Sequence, residues 1–231
     1  MHRLLLVLSL AAALLPNVLR AQNATVVELY TSQGCSSCPP ADELLTQLAA
    51  RDDVIALALH VDYWDYLGWK DDMAQPAFSQ RQHGFAQAAG ATTVYTPQMV
   101  IGGLDHVIGS RPMKVMEQVM RHNALPDAVA VTLSRSGNRL TIDAEAVASQ
   151  RGRAIVQIVR FDPEMTRDIR RGENAGRTIR YSNVVTSWTN AGAWNMAQPL
   201  RMQADLSGSE RVAVIIQDGA NGPILGAAQL R

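Results

Sequence analysis

The hydrophobic letters of the chain change their period once, near residue 126. Before that point, β-branched and aromatic runs alternate with stretches of helical spacing. Residues 25–33, TVVELYTSQ, read as a strand that Gly34 breaks. PPADELLTQLAAR, from Pro39, carries Leu44, Leu45 and Leu48 at helical intervals. Asp42 and Glu43 fall in its first turn, where acidic groups suit the helix dipole and proline is tolerated. DVIALALHV follows as a second strand, which makes a βαβ unit and favours parallel pairing by a right-handed crossover. DYWDYLGWKDDM predicts an acidic, aromatic loop, and PAFSQRQHGFAQAAG a helix stopped at Gly90. YTPQMVIGGLDHVIGS predicts two strands joined at Gly102 and Gly103. PMKVMEQVMRHNAL closes this half as a helix with Val115, Met116, Val119 and Met120 on one side.

Beyond Pro126 the pattern is alternation. AVAVTLSRSGNRLTIDAEA reads as two strands around a Ser-Gly-Asn turn, and RAIVQIVRFD, RTIRYSNVVTSW, PLRMQADL and RVAVIIQDG continue as strands. PEMTRDIRRGENAGR reads as a polar insert among them. Evenly spaced strands predict a small sandwich-like β domain. At the N-terminus, MHR leads into the apolar run LLLVLSLAAALL, then Pro16 and the tripeptide LRA ending at Ala21. That is the anatomy of a secretory signal, and the run is short of the roughly 20 residues a bilayer span needs. The expected organisation is a signal peptide over 1–21, an α/β domain over 22–126 and a β-rich domain over 127–231, in the periplasm or secreted.

Composition narrows the partners. Lys plus Arg and Asp plus Glu are 21 each, so no global field draws the chain to nucleic acid or to an anionic membrane. At 47% hydrophobic residues the chain has the material for a core. After signal removal no integral membrane segment is expected.

The chemistry concentrates at CSSC, residues 35–38, which holds both cysteines of the chain. A C-x-x-C entering a helix puts Cys35 where free N–H groups and the positive helix end stabilise a thiolate, and such thiols fall from a pKa near 8.5 to about 3.5–7.5. Cys35 is then the nucleophile and Cys38 the resolving partner. Three other readings stand beside this one. A structural disulfide fits an oxidising compartment, although closing so short a loop restrains little chain entropy. Half a zinc site needs further ligands, and His60, His83, His106 and His122 lie at no metal-like spacing. A Cu(I) carrier suits soft thiolates, with a single histidine such as His60 completing the site.

VELYTSQGCSSC followed by a helix, with TPQMVIGG some sixty residues later, resembles the thioredoxin superfamily over roughly residues 25–125. CSSCPPAD, HVDYWDYLGWKD, TPQMVIGG, RGENAGRTI and GPILGAAQL together resemble a family of exported bacterial thioredoxin-like proteins of unknown function. The resemblance implies an α/β thioredoxin-like domain followed by a smaller, mainly β domain. It implies an exported thiol–disulfide oxidoreductase acting on protein or small-molecule thiols with an unidentified redox partner and no cofactor. It makes Pro97 a cis-proline facing the cysteines, with Thr96 offering backbone groups to a substrate. It makes Glu28 the buried acid that takes a proton from the resolving thiol, provided SQG carries a one-residue insertion. Gly34 stands where thioredoxins carry an aromatic residue, which implies wider access to the nucleophile and speaks against a general reductase.

Two further stretches bear on the site. Asp62, Tyr63, Trp64, Asp65, Tyr66 and Trp69 cluster at the carboxyl end of the second strand, the edge where open α/β sheets hold ligands. Tyr63 and Trp64 are therefore expected in a substrate wall, with interdomain packing as the alternative, and His60 as a buttress. RRGENAGRTIRYSN gathers Arg170, Arg171, Arg177 and Arg180 with Glu173 and Asn174, either as a solvated loop or as a segment leaning over the cysteines.

Overall fold

A computed structural model describes residues 24–147 and 152–230; the expected signal peptide lies outside the described residues. The first half follows the periodicity closely. β1 (Thr25–Thr31), α1 (Pro39–Ala49), β2 (Val54–His60), α2 (Pro76–Ala88), β3 (Gln98–Ile101), β4 (Asp105–Ile108) and α3 (Pro112–Asn123) form in that order, with a single 3-10 turn at Asp65–Leu67. β1 and β2 pair in parallel around α1, and β3 returns antiparallel on the other side of β1. β3 and β4 form a hairpin whose turn residues Gly102 and Gly103 have φ of 61° and 73°, a conformation glycine adopts without strain.

The second half is β5 (Val129–Ser136), β6 (Arg139–Ala146), β7 (Ala154–Asp168), β8 (Thr178–Trp194), β9 (Leu200–Asp205), β10 (Arg211–Asp218) and β11 (Ile224–Leu230). It does not form a separate sandwich-like partner to an α/β thioredoxin-like domain. The expected fold class is corrected: the protein is mostly β, with one eight-stranded mixed sheet in the order β11-β10-β7-β8-β2-β1-β3-β4 and a three-stranded sheet β5-β6-β9. β8 joins the halves by lying alongside β2, in parallel at Ala58 and Val184. The reason lies in what alternation encodes. Period-2 spacing tells which face of a strand is buried, not which strand is its neighbour. The continuous buried runs Tyr181–Val185 and Val212–Gln217 mark strands with neighbours and cover on every side.

Two elements depart from the sequence reading. GPILGAAQL contains a strand, β11, that borders the sheet and pairs with β10. The polar insert is largely strand as well: β7 runs to Asp168 and pairs with β8 up to Thr178, so only residues 169–177 form the tip. Polar letters gave no hint of strand there because this end of the hairpin buries little and is held by its backbone ladder.

Each strand of the large sheet sends alternate residues to opposite faces. Val27, Leu29, Ala56 and Ala58 pack with Leu45 and Leu48 of α1 and Val115 and Val119 of α3. Val26, Tyr30, Leu57 and Leu59 pack with Phe78 and Phe85 of α2. Val131 and Ile142 of the small sheet cover Val156, Val214 and Ile216 at the other end.

Candidate functional site

Cys35 and Cys38 are joined as a disulfide in the turn between β1 and α1. The turn is closed by Cys35 N–H donating to Ser32 O and Cys38 N–H to Cys35 O, and Cys38 is the N-cap residue of α1. Prolines at 39 and 40 supply no N–H there, so the helix enters with few amides left to satisfy. Cys38 is fully buried and Cys35 is 4% exposed. The chemistry of the pair therefore sits at the carboxyl end of β1, at the polarised start of a helix.

The Thr96–Pro97 bond is cis. Thr96 Oγ1 donates to Cys35 Sγ at 3.2 Å, and Trp64 Nε1 donates to Thr96 Oγ1 at 2.7 Å. Gly109 fixes this loop against the helix: its N–H donates to Pro97 O, and an added Cβ would lie 3.0 Å from Ala41 and 3.3 Å from Pro97. Trp64 also packs on Gly34, where a Cβ would meet Trp64 Cβ at 3.3 Å. This corrects one expectation: the missing side chain at Gly34 does not widen access, because the Trp64 backbone and Cβ occupy the space. Tyr63 donates to Gln82, which in turn donates to Tyr95 O and Gln98, so it braces the Thr96 loop from behind. Burial pushes the Tyr63 phenol up to about 12 against its Gln82 and Thr96 contacts, so it remains a donor at neutral pH.

Below the disulfide lies a buried polar cluster. Asp42, one helical turn after Cys38, accepts from Thr31 Oγ1 at 2.8 Å, and its second oxygen has no protein partner. Its N–H bonds Cys38 O, so both residues lie on one face of α1, a spacing that brings Cβ atoms to about 5–6 Å. Burial raises the Asp42 carboxyl to about 7, opposed by the charge of His60 and the Thr31 hydrogen bond. His60 Nδ1 meets Asp71 Oδ2 at 2.6 Å, while Nε2 has no partner. Burial works against the imidazolium, yet Asp71 with Asp42 and Asp72 carries the net shift of His60 upward. Tyr181 packs edge-on to His60 at 4.8 Å, and its hydroxyl is likewise buried without a partner. Asp71 also accepts from the backbone and side chain of Gln33, and so ties the cluster to the cysteine turn. Among the described residues no group of three or more His, Cys, Asp or Glu side chains converges as a metal site.

Glu28 is elsewhere. Val27, Leu29 and Thr31 face α1, so Glu28 and Tyr30 face α2, away from the disulfide. Glu28 is bound by both arms of Arg81 at 2.7 and 2.8 Å and by the Tyr30 hydroxyl at 2.9 Å. The expected contact of Glu28 with the resolving thiol is therefore absent, and strand parity is the reason: one residue's shift along β1 exchanges the faces. Asp42, one helical turn after Cys38, is the buried carboxyl on that face. The sequence carried a signal for it, since Asp42 lies on the same helical stripe as Cys38 and Leu45.

The tip of the β7–β8 hairpin reaches the cysteines. Asn174, 2% exposed, donates from Nδ2 to Gln33 O and to Cys35 O, each at 2.9 Å. Glu173 Oε2 accepts from Ser36 N–H at 3.2 Å. RRGENAGR thus leans over the disulfide, as one of the two sequence readings expects. A cleft of about 650 Å³ opens between the start of α1 and β8, with Ser36, Pro39 and Glu43 on one wall and Arg177 and Arg180 on the other. His60, on which a copper reading would turn, is committed to Asp71 on its Nδ1 side.

The family model "Protein of unknown function (DUF1223)" matches residues 26–217. The protein AGR_C_4864 of Agrobacterium tumefaciens is similar in structure at TM-score 0.78 and 34% identity, over 91% of this chain and 96% of that one. HBP35 of Porphyromonas gingivalis shares the fold at TM-score 0.65 with 14% identity, over 90% of this chain and 75% of that one. Among proteins of curated function none matches. By the extent of the family match, the chain belongs to the DUF1223 family of unknown function.

Proposed function

We propose that the protein is an exported thiol–disulfide oxidoreductase working through Cys35 and Cys38. The observation that carries this reading is the contact of Thr96 Oγ1, at a cis-proline bond, with the Cys35 sulfur at a helix N-terminus. The likeness to thioredoxins is a likeness of this local arrangement. Export is supported by the signal-like residues 1–21 and by a disulfide that persists in oxidising compartments.

In the reducing direction, the Cys35 thiolate attacks one sulfur of a client disulfide, forming a Cys35–client bond and releasing the other client sulfur as a thiolate. Cys38 then passes its proton to the Asp42 carboxylate and attacks Cys35 Sγ. The Cys35–Cys38 bond forms, the client leaves as its second thiolate, and two electrons have moved to the client. Oxidation of a client dithiol runs the same steps in reverse. Asp42 suits the proton step because it follows Cys38 by one helical turn, keeps one oxygen unpartnered, and has a pKa of about 7 that matches neutral pH. Thr96 presents backbone groups to the client, with Trp64 holding its hydroxyl in line. The cleft between α1 and β8 gives the chain flanking the client sulfur a place to lie.

Incubation with a model disulfide-bonded protein and a dithiol tests this reading. Cys35→Ser loses exchange entirely, and Cys38→Ser accumulates a mixed disulfide through Cys35. A pair that stays oxidised at potentials below about −300 mV is a staple, and the reading fails.

A further inference from the structure

Resting on the exchange reading, we propose that Glu173, held by the β7–β8 tip against the Ser36 amide, sets the potential of the pair and biases it toward donating electrons. Ser36 N–H is the amide that follows the nucleophile, a dipole that would otherwise help to stabilise a thiolate at Cys35. Glu173 occupies that amide and adds a negative charge beside the turn. Reduction of the disulfide takes up two electrons and leaves Cys35 to ionise. A carboxylate on the amide that follows that sulfur raises the energy of the thiolate, hence of the reduced form, and favours passing the electrons to a client disulfide.

The carboxylate is not a loose surface charge. Asn174, next in sequence, is buried and donates to the carbonyls of Gln33 and Cys35. The tip is closed by Gly176 N–H donating to Ile169 O at 2.7 Å and Ile169 N–H to Arg177 O at 2.9 Å. Glu173 is therefore delivered to the turn by a hairpin 137 residues further along the chain. Other polar and charged groups around the turn include Arg177, which donates to Asn174 Oδ1 at 3.3 Å, the Thr96 hydroxyl on Cys35 Sγ, the Ser37 hydroxyl 3.5 Å from the same sulfur, and Asp42 with the His60–Asp71 pair. Arg177 and Thr96 favour the thiolate, and Glu173 opposes them from the solvent side, where nothing buries its charge.

Equilibration of the full chain with glutathione and glutathione disulfide, for the parent, Glu173→Gln and Glu173→Ala, tests the assignment. Gln keeps an acceptor for Ser36 N–H and removes only the charge. Both variants are expected to be reduced more readily by about 3- to 10-fold in the equilibrium constant, about 15–30 mV in potential. The Cys35 thiolate pKa, followed by ultraviolet absorbance, falls in both, and the difference from the parent shrinks as salt rises. A merely structural Glu173 would change melting temperature and leave the pKa and salt response alone. An unchanged constant and pKa in Glu173→Gln at low ionic strength overturn the assignment while the exchange reading stands. A parent pair that no thiol reduces takes both down together.

Discussion

Glu28 and Asp42 are carboxyl groups buried on opposite faces of one sheet, and they differ in how their oxygens are used. Both oxygens of Glu28 are bound by Arg81, whose guanidinium also lies 3.9 Å from the centre of the Trp188 ring and donates to Gln217. Asp42 has one hydroxyl partner and one oxygen with none. A buried charge that is fully paired acts as a strut, whereas a buried carboxyl left partly unpaired stores free energy that chemistry can draw on. Glu28 holds the two halves of the chain together, whereas Asp42 is the group that the proposed exchange would use to move a proton.

The largest effect expected on the strut side is from Arg81→Ala. Leaving Glu28 buried without its partner costs about 3–5 kcal/mol of stability by denaturant unfolding. Exchange per folded molecule stays within about two-fold, because the Glu28 side chain faces away from the disulfide. A loss of exchange without loss of stability would erase the distinction between the two faces.

Asp42→Asn is expected to act in the opposite sense. The folded carboxyl titrates near 7 against an ordinary 3.8, so the folded state holds a proton that the unfolded chain has released. Stability therefore falls as pH rises from about 4 to 7, by at most roughly 4 kcal/mol from this group. The variant is expected to be more stable than the parent at pH 8, by about 2–4 kcal/mol, and equal to it near pH 4. His60, also raised, adds a separate loss that begins only as pH rises above its ordinary 6.5, so the variant loses the decline between about pH 4 and 6 and keeps one above it.

The same substitution sharpens the comparison kinetically. Resolution of a trapped mixed disulfide slows by about 10²-fold or more in Asp42→Asn at neutral pH, the scale of a lost general base. In the parent that step slows as pH falls through about 7, where the carboxyl becomes protonated. Rapid quenching and mass spectrometry follow both, and a parent rate that ignores pH across this window removes Asp42 from the mechanism.

The smallest effect is expected at the wall of the site. Trp64→Phe keeps the backbone and Cβ against Gly34 but loses the hydrogen bond to Thr96, worth about 1 kcal/mol. The KM for a client protein rises by about five-fold with kcat little changed.

Much of this was legible beforehand, and unevenly. α1, α2 and α3 and the strands β1 to β4 follow from periodicity because their signals are local: each helix carries proline at its start, and α1 and α3 an apolar stripe of their own. β11 carries no strand signal of its own because GPILGAAQL is short and has two glycines, and strand there is settled by pairing with β10. Asn174 could be suspected from its loop, but its two hydrogen bonds join residues 139 and 141 apart, a distance no spacing rule spans.

By itself the sequence determined the redox candidates, the helix that begins beside them and the alternation of buried faces, since these rest on neighbours in the chain. The tertiary structure alone decided that β8 lies against β2, that Glu28 faces Arg81 while Asp42 lies on the face of Cys38, and that the hairpin tip brings Glu173 to the Ser36 amide. Those outcomes depend on strand order and on which face a strand presents. Both are fixed by the free energy of the whole packed sheet, to which no single segment holds the answer.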